Sequence, residues 1–480
     1  MTQFRRKQSN GGTKKIMKLF GATAVILSAL FMFSSVFVPS TSENASTSIS
    51  TSIDPIKRVK PMKQSISSPE SKDASNNPNY HIVFSTDCSK YQKWQTYLLF
   101  YSAMRVKQPG TVTRIASGCT PEEEESERAF HADIAKHMSP NFKIHLTPRF
   151  SGVKDENGEV TEKKYDYFNK PFGLLHWMEH SEENFTDDDI IILLDPDQAL
   201  TRPITNDFSN LDENLLVGKN PKTIVTHGQP FAQKYGMGNG WMALDLTKVT
   251  LDENSPAHKV SRDEGRLHYP VGPPYLATAK DMHLIAKTWA DFVPRSHKEH
   301  PHLMAEMFAF CIAAAHLELP FQLVRSLMVS VASGGTGERS GEGWKLINAI
   351  DDDKVCTDAA LDEYTLPSVL HYCHRYIVGK YFFGKRRIPM DIFSCDKPLL
   401  LVPPEDVAQQ FDYYVPPSGT HGTTTKLNQK QAKQMAFMLC ALTRLVNEAS
   451  VFYQGKNCDK PKDESLAIDF WSLETVSVKI

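Results

Sequence analysis

The sequence predicts an α/β fold built on a mostly parallel sheet flanked by helices, and three observations carry that expectation. Short apolar runs, HIVFSTDC (81–88), TVTRIASG (111–118) and IIILLD (190–195), end in small polar or acidic residues. Segments with helical spacing alternate with these runs. The third run is continuous rather than alternating, the pattern of a strand covered on both faces. Sheets of this kind collect ligands at the carboxyl ends of their strands, so the polar residues closing each run become candidates for function.

In chain order, YQKWQTYLLFYSAMRV (91–106) sets Trp94, Leu98, Tyr101 and Met104 or Arg105 at three-to-four spacing, which predicts a helix. NKPFGLLHWMEH (169–180) reads as a second helix, with Pro171 in the first turn where a missing N–H costs nothing. HLMAEMFAFCIAAAHLEL (302–319) is a strongly apolar helix. Met435, Leu439, Leu442, Val446 and Ala449 predict a last helix packed on the domain. SVASGGTGERSGEGW (330–344) is a glycine-rich, flexible loop that lacks the GK[ST] of a phosphate loop. The expected organisation is a cytosolic tail (1–18), a transmembrane signal anchor (19–38), a disordered Ser/Thr-rich stem (39–79), a single catalytic domain (80–414), a linker (415–430) and a C-terminal helix with its tail (431–480).

The anchor expectation rests on Arg5, Arg6, Lys7, Lys14, Lys15 and Lys18, followed by an uncharged apolar stretch from Leu19 to Val38. About 20 apolar residues span roughly 30 Å of hydrocarbon, whereas a cleavable signal has an apolar core of about 7–15 residues. The positive flank places the tail in the cytosol and the rest of the chain in a lumen. The stem holds too few large apolar side chains to offset the entropy of ordering. In this topology the sequons Asn44-Ala45-Ser46 and Asn184-Phe185-Thr186 are open to glycosylation. Eight cysteines without a CxxC pair argue against a zinc ribbon or a thioredoxin-like centre. A lumenal domain could form disulfides among them, in a pairing the sequence does not define, while Cys311 reads as a small buried hydrophobe. A net charge of -2 gives no electrostatic reason for a nucleic-acid partner.

Asp195 and Asp197 straddle Pro196 where the chain leaves the third apolar run. Two carboxylates one residue apart at a strand end can turn toward one divalent ion, and the proline holds the bend. Hard oxygen ligands suit Mg²⁺ or Mn²⁺, which can bridge to nucleotide phosphates and offset charge on a departing diphosphate. The plain alternative is an acidic loop capping the strand or the next helix. A rival of another class is a lumenal zinc hydrolase, because HWMEH (176–180) matches H-x-x-E-H with both histidines on one helix face. That chemistry needs a third protein ligand, which the sequence does not identify. A non-enzymatic lumenal binding protein on a membrane stalk would explain the anchor and stem but not the acidic pair. Glu306 lies in an otherwise apolar helix, where burial without a partner is costly, so it should meet a polar group or a substrate.

Six segments, HIVFSTDCSKYQKWQ, QPGTVTRIASG, NKPFGLLHWMEHSEE, IIILLDPDQALTRPI, AEMFAFCIAAA and VLHYCHRY, occur in order between about Tyr80 and Cys458. In order and spacing they resemble the hydroxyproline O-arabinosyltransferase-like family, which includes the peptidyl serine O-α-galactosyltransferases. The resemblance implies a GT-A-like domain, a UDP-sugar donor, Mn²⁺ and a protein acceptor, with the domain lumenal to a Golgi or ER membrane and the sugar's configuration retained. Asp195 and Asp197 fall on the family's acid-x-acid metal motif and His371 on its late histidine, with His374 as the neighbouring alternative. An imidazole in the set favours manganese. Ser85, Thr86 and Asp87 close the first strand where uridine and ribose are expected, and Arg114 is placed at the end of the second. Asn169 and Lys170 open the helix before the acidic strand, and a lysine near a helix N-terminus suits a diphosphate. Glu306 falls in the active-site region, as catalyst, acceptor-orienting group or structural cap. The family's arabinosyl branch commonly begins the acidic motif Glu-Pro and its galactosyl branch carries two Asp. DPDQ mixes the two, which leaves donor sugar and acceptor residue open.

Overall fold

The computed structural model describes residues 78–155, 157–332, 342–414, 424–460, 463, 465–469 and 472–478. The expected tail, anchor and nearly all of the stem, the Asn44 sequon, and most of the glycine-rich loop and linker lie outside the described residues. Strands β1 (Tyr80–Thr86), β2 (Thr111–Ser117) and β3 (Phe142–Thr147) lead into a hairpin of β4 (Gly152–Lys154) and β5 (Val160–Lys164). There follow β6 (Ile190–Leu194), β7 (Gln198–Leu200), β8 (Phe231–Lys234), β9 (Val271–Thr278), β10 (Gln322–Val324), β11 (Met328–Val329), β12 (Val369–His371), β13 (Arg375–Val378) and β14 (Tyr381–Gly384). The principal helices are α1 (Lys90–Arg105), α2 (Pro121–Phe130), α3 (Asn169–His180), α4 (Ala279–Glu299), α5 (Ala305–His316) and α6 (Gln429–Asn457).

A seven-stranded sheet runs in the order β10-β8-β9-β6-β1-β2-β3. Its strands are parallel except β9, which pairs antiparallel with both β6 and β8. The chain steps outward from β1 to β2 and β3, then crosses back to β6 on the other side of β1. That reversal opens a crevice at the carboxyl ends of β1 and β6, where ligands of such sheets bind. A glycine is required where β2 starts: Gly110 has φ +84° and an added Cβ would fall 2.0 Å from the Tyr80 carbonyl oxygen.

Both faces of the sheet are covered, which is why β6 reads as unbroken Ile and Leu. Ile190, Ile192, Leu194, Ile82 and Phe84 share one core with Trp94 and Leu98 of α1 and Phe437 and Leu442 of α6. Ile191, Leu193 and Val83 point the other way, into a core with Leu174 and Trp177 of α3, Trp289 of α4 and Ile312 of α5. Each such burial contributes about 1.5–3 kcal/mol before chain entropy is counted. By length and composition α6 could cross a membrane, but 72% of its apolar window is buried, so it serves as a core helix. Asn428 caps it, accepting from the Gln431 N–H at 2.9 Å.

Disulfides join Cys88 to Cys119, Cys356 to Cys440 and Cys395 to Cys458, the last two fastening α6. Cys311 and Cys373 are free thiols, and Cys311 is fully buried. Arg114 lies in the middle of β2 rather than at its end. The reversed strand β9, the edge strand β3 and the small sheet β11-β12-β7 are elements that apolar periodicity did not announce.

Candidate active site

The acidic pair sits in the turn between β6 and β7, at the crevice between β1 and β6. Gln198, fully buried at the start of β7, holds this turn from inside. Its Oε1 accepts the Asp195 N–H at 3.1 Å, and its Nε2 donates to the Pro273 carbonyl of β9 at 3.1 Å. β7 pairs antiparallel with β12 in a register that sets Gln198 opposite His371. The Tyr372 N–H extends this pairing by donating to the Asp197 carbonyl at 3.0 Å. A histidine far down the chain is thereby carried to the acidic turn.

Donor atoms of Asp195, Asp197 and His371 all lie within 4.8 Å of one another, the only such group of three or more among the described residues. His374 is not part of it. Asp197 and His371 are 6% and 5% exposed, and Asp195 opens toward solvent. His371 Nε2 lies 3.2 Å from Asp197 Oδ1, and Lys385, just after β14, puts Nζ 2.5 Å from Asp197 Oδ2. Burial would raise the Asp197 carboxyl, but Lys385 and His371 outweigh it and hold the group well below the usual carboxylate range. Two carboxylates and one imidazole, with at least one carboxylate kept ionised, fit a hard-to-borderline divalent cation such as Mn²⁺.

Lys170, the second residue of α3, bridges the other side. Its Nζ lies 2.8 Å from Asp195 Oδ1 and 3.3 Å from Glu306 Oε1, over the rings of Tyr275 and Trp289. Gly173 lets α3 approach this closely, because an added Cβ would stand 3.1 Å from Ile115 Cγ2. Burial opposes the Lys170 charge, yet Asp195 and Glu306 prevail and raise its pKa. Burial also raises the Glu306 carboxyl, with Lys170 acting against it. The two directions agree if Asp195, the nearer carboxylate, is the main partner of the ammonium. Glu306 is fixed through its backbone: its N–H donates to the Tyr165 hydroxyl at 3.0 Å and its carbonyl accepts from Trp289 Nε1 at 2.9 Å.

At the end of β1, Thr86 Oγ1 accepts from Arg114 Nε at 2.8 Å, and the Asp87 carboxylate accepts from the Ser89 N–H and hydroxyl at 2.9 and 2.6 Å. Ser85 is partly exposed there. Arg114 is 1% exposed and turned inward, paired with Glu127 of α2 and donating to the Asp87 carbonyl at 3.0 Å. Asn169 accepts the Phe150 N–H at 3.1 Å. These two side chains support the crevice from behind, whereas Lys170, Asp195, Asp197, Glu306 and His371 converge in it. Sequence reasoning missed Lys385 and Gln198. The basic run KRR (385–387) and a lone amide opening the apolar segment after DPD were the available signals.

The HWMEH glutamate is engaged elsewhere, so the segment is not assembled as a hydrolase needs. His176 Nδ1 faces His145 Nε2 of β3 at 2.9 Å, while Glu179 is paired with His283 of α4 at 3.3 Å.

No family model matches the chain. Its sequence is similar to a peptidyl serine alpha-galactosyltransferase of Arabidopsis thaliana, 32% identical over 263 residues. The match covers 52% of this chain and 27% of that protein, so it spans about a quarter of the longer relative. The relative carries one of the activities of the family that the six segments resemble, and this supports the resemblance. Among solved structures, similarity extends to the bifunctional glycosyltransferase WbbM, at TM-score 0.32 and 11% identity over 63% of this chain and 47% of that one. It extends also to the galactosyltransferase LgtC with donor and acceptor sugar analogues, at TM-score 0.32 and 14% identity over 61% of this chain and 87% of that one.

Proposed function

We propose that the chain is a metal-dependent, GT-A-like glycosyltransferase. It moves galactose or arabinofuranose from a UDP-sugar to a serine or hydroxyproline oxygen of secretory-pathway proteins, with retention of configuration. The observation that carries this reading is the convergence of Asp195, Asp197 and His371 at the sheet's switch point, flanked by two lysines. The Arabidopsis relative supports it from the side of sequence.

Asp195, Asp197 and His371 would hold Mn²⁺, which when bound supplies positive charge against that building on the departing diphosphate. Lys170 and Lys385 approach the acidic pair from two sides and add ammonium donors for the diphosphate oxygens. Ser85, Thr86 and Asp87 bind the nucleoside, and Arg114 and Asn169 brace that wall and the start of α3. Glu306 faces the acceptor and orients its hydroxyl, keeping Lys170 in place. The acceptor oxygen forms the new bond to the anomeric carbon as the bond to the diphosphate breaks, and a diphosphate oxygen takes the hydroxyl proton. Strong rescue of Glu306→Ala by azide would instead make Glu306 the nucleophile.

Residues 19–38 form the type II anchor in this reading, and a catalytic domain in the Golgi or ER lumen accords with the three disulfides. The deciding experiment measures UDP binding with and without Mn²⁺, then screens UDP-galactose and UDP-arabinofuranose for Mn²⁺-dependent hydrolysis. Binding that requires Mn²⁺ and is lost in Asp197→Ala is expected. Unchanged binding in that variant overturns the metal assignment, and a chain that binds no nucleotide is the stalked binding protein.

A further inference from the structure

Beside the edge strand of the sheet, away from the acidic turn, three imidazoles meet. His145 of β3 sets its Nε2 2.9 Å from Nδ1 of His176. The His145 and His176 ring centroids are 5.1 Å apart, and those of His176 and His180, one helical turn on, are 4.6 Å apart. Phe150, stacked on Phe172, closes one side of the cluster. The nearest charges are engaged elsewhere: Lys143, on the same face of β3, with Glu183, and Glu179 with His283. Among the described residues no carboxylate forms an ion pair with any of the three rings.

We propose that His145, His176 and His180 form a second metal site, for a zinc-class divalent cation, that fastens the edge strand β3 to helix α3. This site does not rest on the transferase reading. Ligands about 2.0–2.1 Å from a tetrahedral zinc stand roughly 3.3 Å from each other, so the His145–His176 pair is close to chelating geometry. The exposed His180 ring must turn to complete the set, since the three donor atoms are not yet all within 4.8 Å of one another. An all-imidazole set selects a borderline cation over Mn²⁺ or Mg²⁺. Burial, with His176 and His180 beside it, pushes the His145 imidazole down to about 4, and His176 shifts the same way. The His145 ring is thus neutral at physiological pH, the state in which an imidazole ligates. With Glu179 held by His283, the site lacks a free base for water activation, and its role is that of a clamp.

The test uses full-length chain without a histidine tag, in the Asp197→Ala background so that the acidic turn does not compete. Zinc chloride is titrated against a chromophoric chelator. One zinc per chain is expected, undisturbed by excess Mn²⁺ and weakened tenfold or more by His145→Ala and separately by His180→Ala. Because His180 is exposed, its variant reads binding without loss of fold, and His258→Ala, at an exposed histidine outside the cluster, serves as a surface control with unchanged affinity. Failure to bind zinc, or affinity unchanged by either the His145 or the His180 substitution, overturns the three-imidazole site.

Discussion

Two short polar motifs lie in this chain, DPDQ at a strand end and HWMEH on a helix, and the fold treats them differently. Around DPDQ it imports charge from afar: His371 arrives by strand pairing, Lys385 from the 3-10 turn after β14, Lys170 and Glu306 from two helices. Around HWMEH it supplies only one further imidazole from the neighbouring edge strand and disperses the acid to His283. A cluster of opposite charges in a crevice can respond to a charged substrate. A cluster of imidazole rings on a surface can join two elements. What surrounds a motif, more than its spelling, decides its chemistry.

The largest effect is expected at Asp197. Replacing it by Ala removes a carboxylate paired with Lys385 and His371, and turnover in the proposed transfer should fall on the order of 10³-fold, the several kcal/mol that a positioned cation supplies. Mn²⁺-dependent UDP binding, followed by calorimetry, should vanish with it. If turnover survives within tenfold, DPDQ is a structural loop.

Next in size is Lys170→Met. The ammonium is buried between two carboxylates, and its removal leaves them unopposed, a loss of about 3 kcal/mol or more in stability. Denaturant midpoints should show this, and the double variant Lys170→Met/Glu306→Gln should regain part of it because one buried acid is then neutral. Equal loss in the single and double variants would mean that Lys170 serves Asp195 alone. Gln198→Leu should follow, at roughly 1–3 kcal/mol for the hydrogen bonds lost from the acidic turn, with Mn²⁺ affinity weakened about tenfold. Unchanged Mn²⁺ affinity there would show that Pro196 alone shapes the turn.

The order of these effects also marks what the sequence could reveal. Local features were legible: apolar runs gave β1, β2 and β6, α3 was bounded correctly, and Asp195 and Asp197 stood out by position. Glu306 was legible as an acid in an apolar helix that must find a partner, which is Lys170. Features set by distant pairing were not. Lys385 meets Asp197 across 188 positions, and nothing local to either residue records that contact. Arg114 was expected at the end of the second strand, but it lies mid-strand and Glu127 of α2 draws it inward. Only His371 crossed this barrier, and it did so through resemblance to a family rather than through its own surroundings.

The smallest effect probes the other motif without any metal. A histidine whose folded pKa is depressed to about 4 is bound more weakly by protons in the folded state than in the unfolded one, whose value is about 6.5. Stability is therefore highest above pH 6.5 and declines as pH falls from there to about 4, where the folded ring also protonates. Below that the contribution is flat. His145→Gln keeps a polar group in place but cannot titrate, so in metal-free chain its denaturant midpoint should vary less between pH 7 and pH 4.5 than the wild type's. The ring is only partly buried, so solvent screening keeps the difference modest. Identical slopes would mean that the three imidazoles do not share a common field, and the zinc clamp would then lose its preformed pair. A wild-type slope that steepens when zinc is added would tie proton and metal to the same nitrogens, because bound zinc keeps the folded rings deprotonated to lower pH.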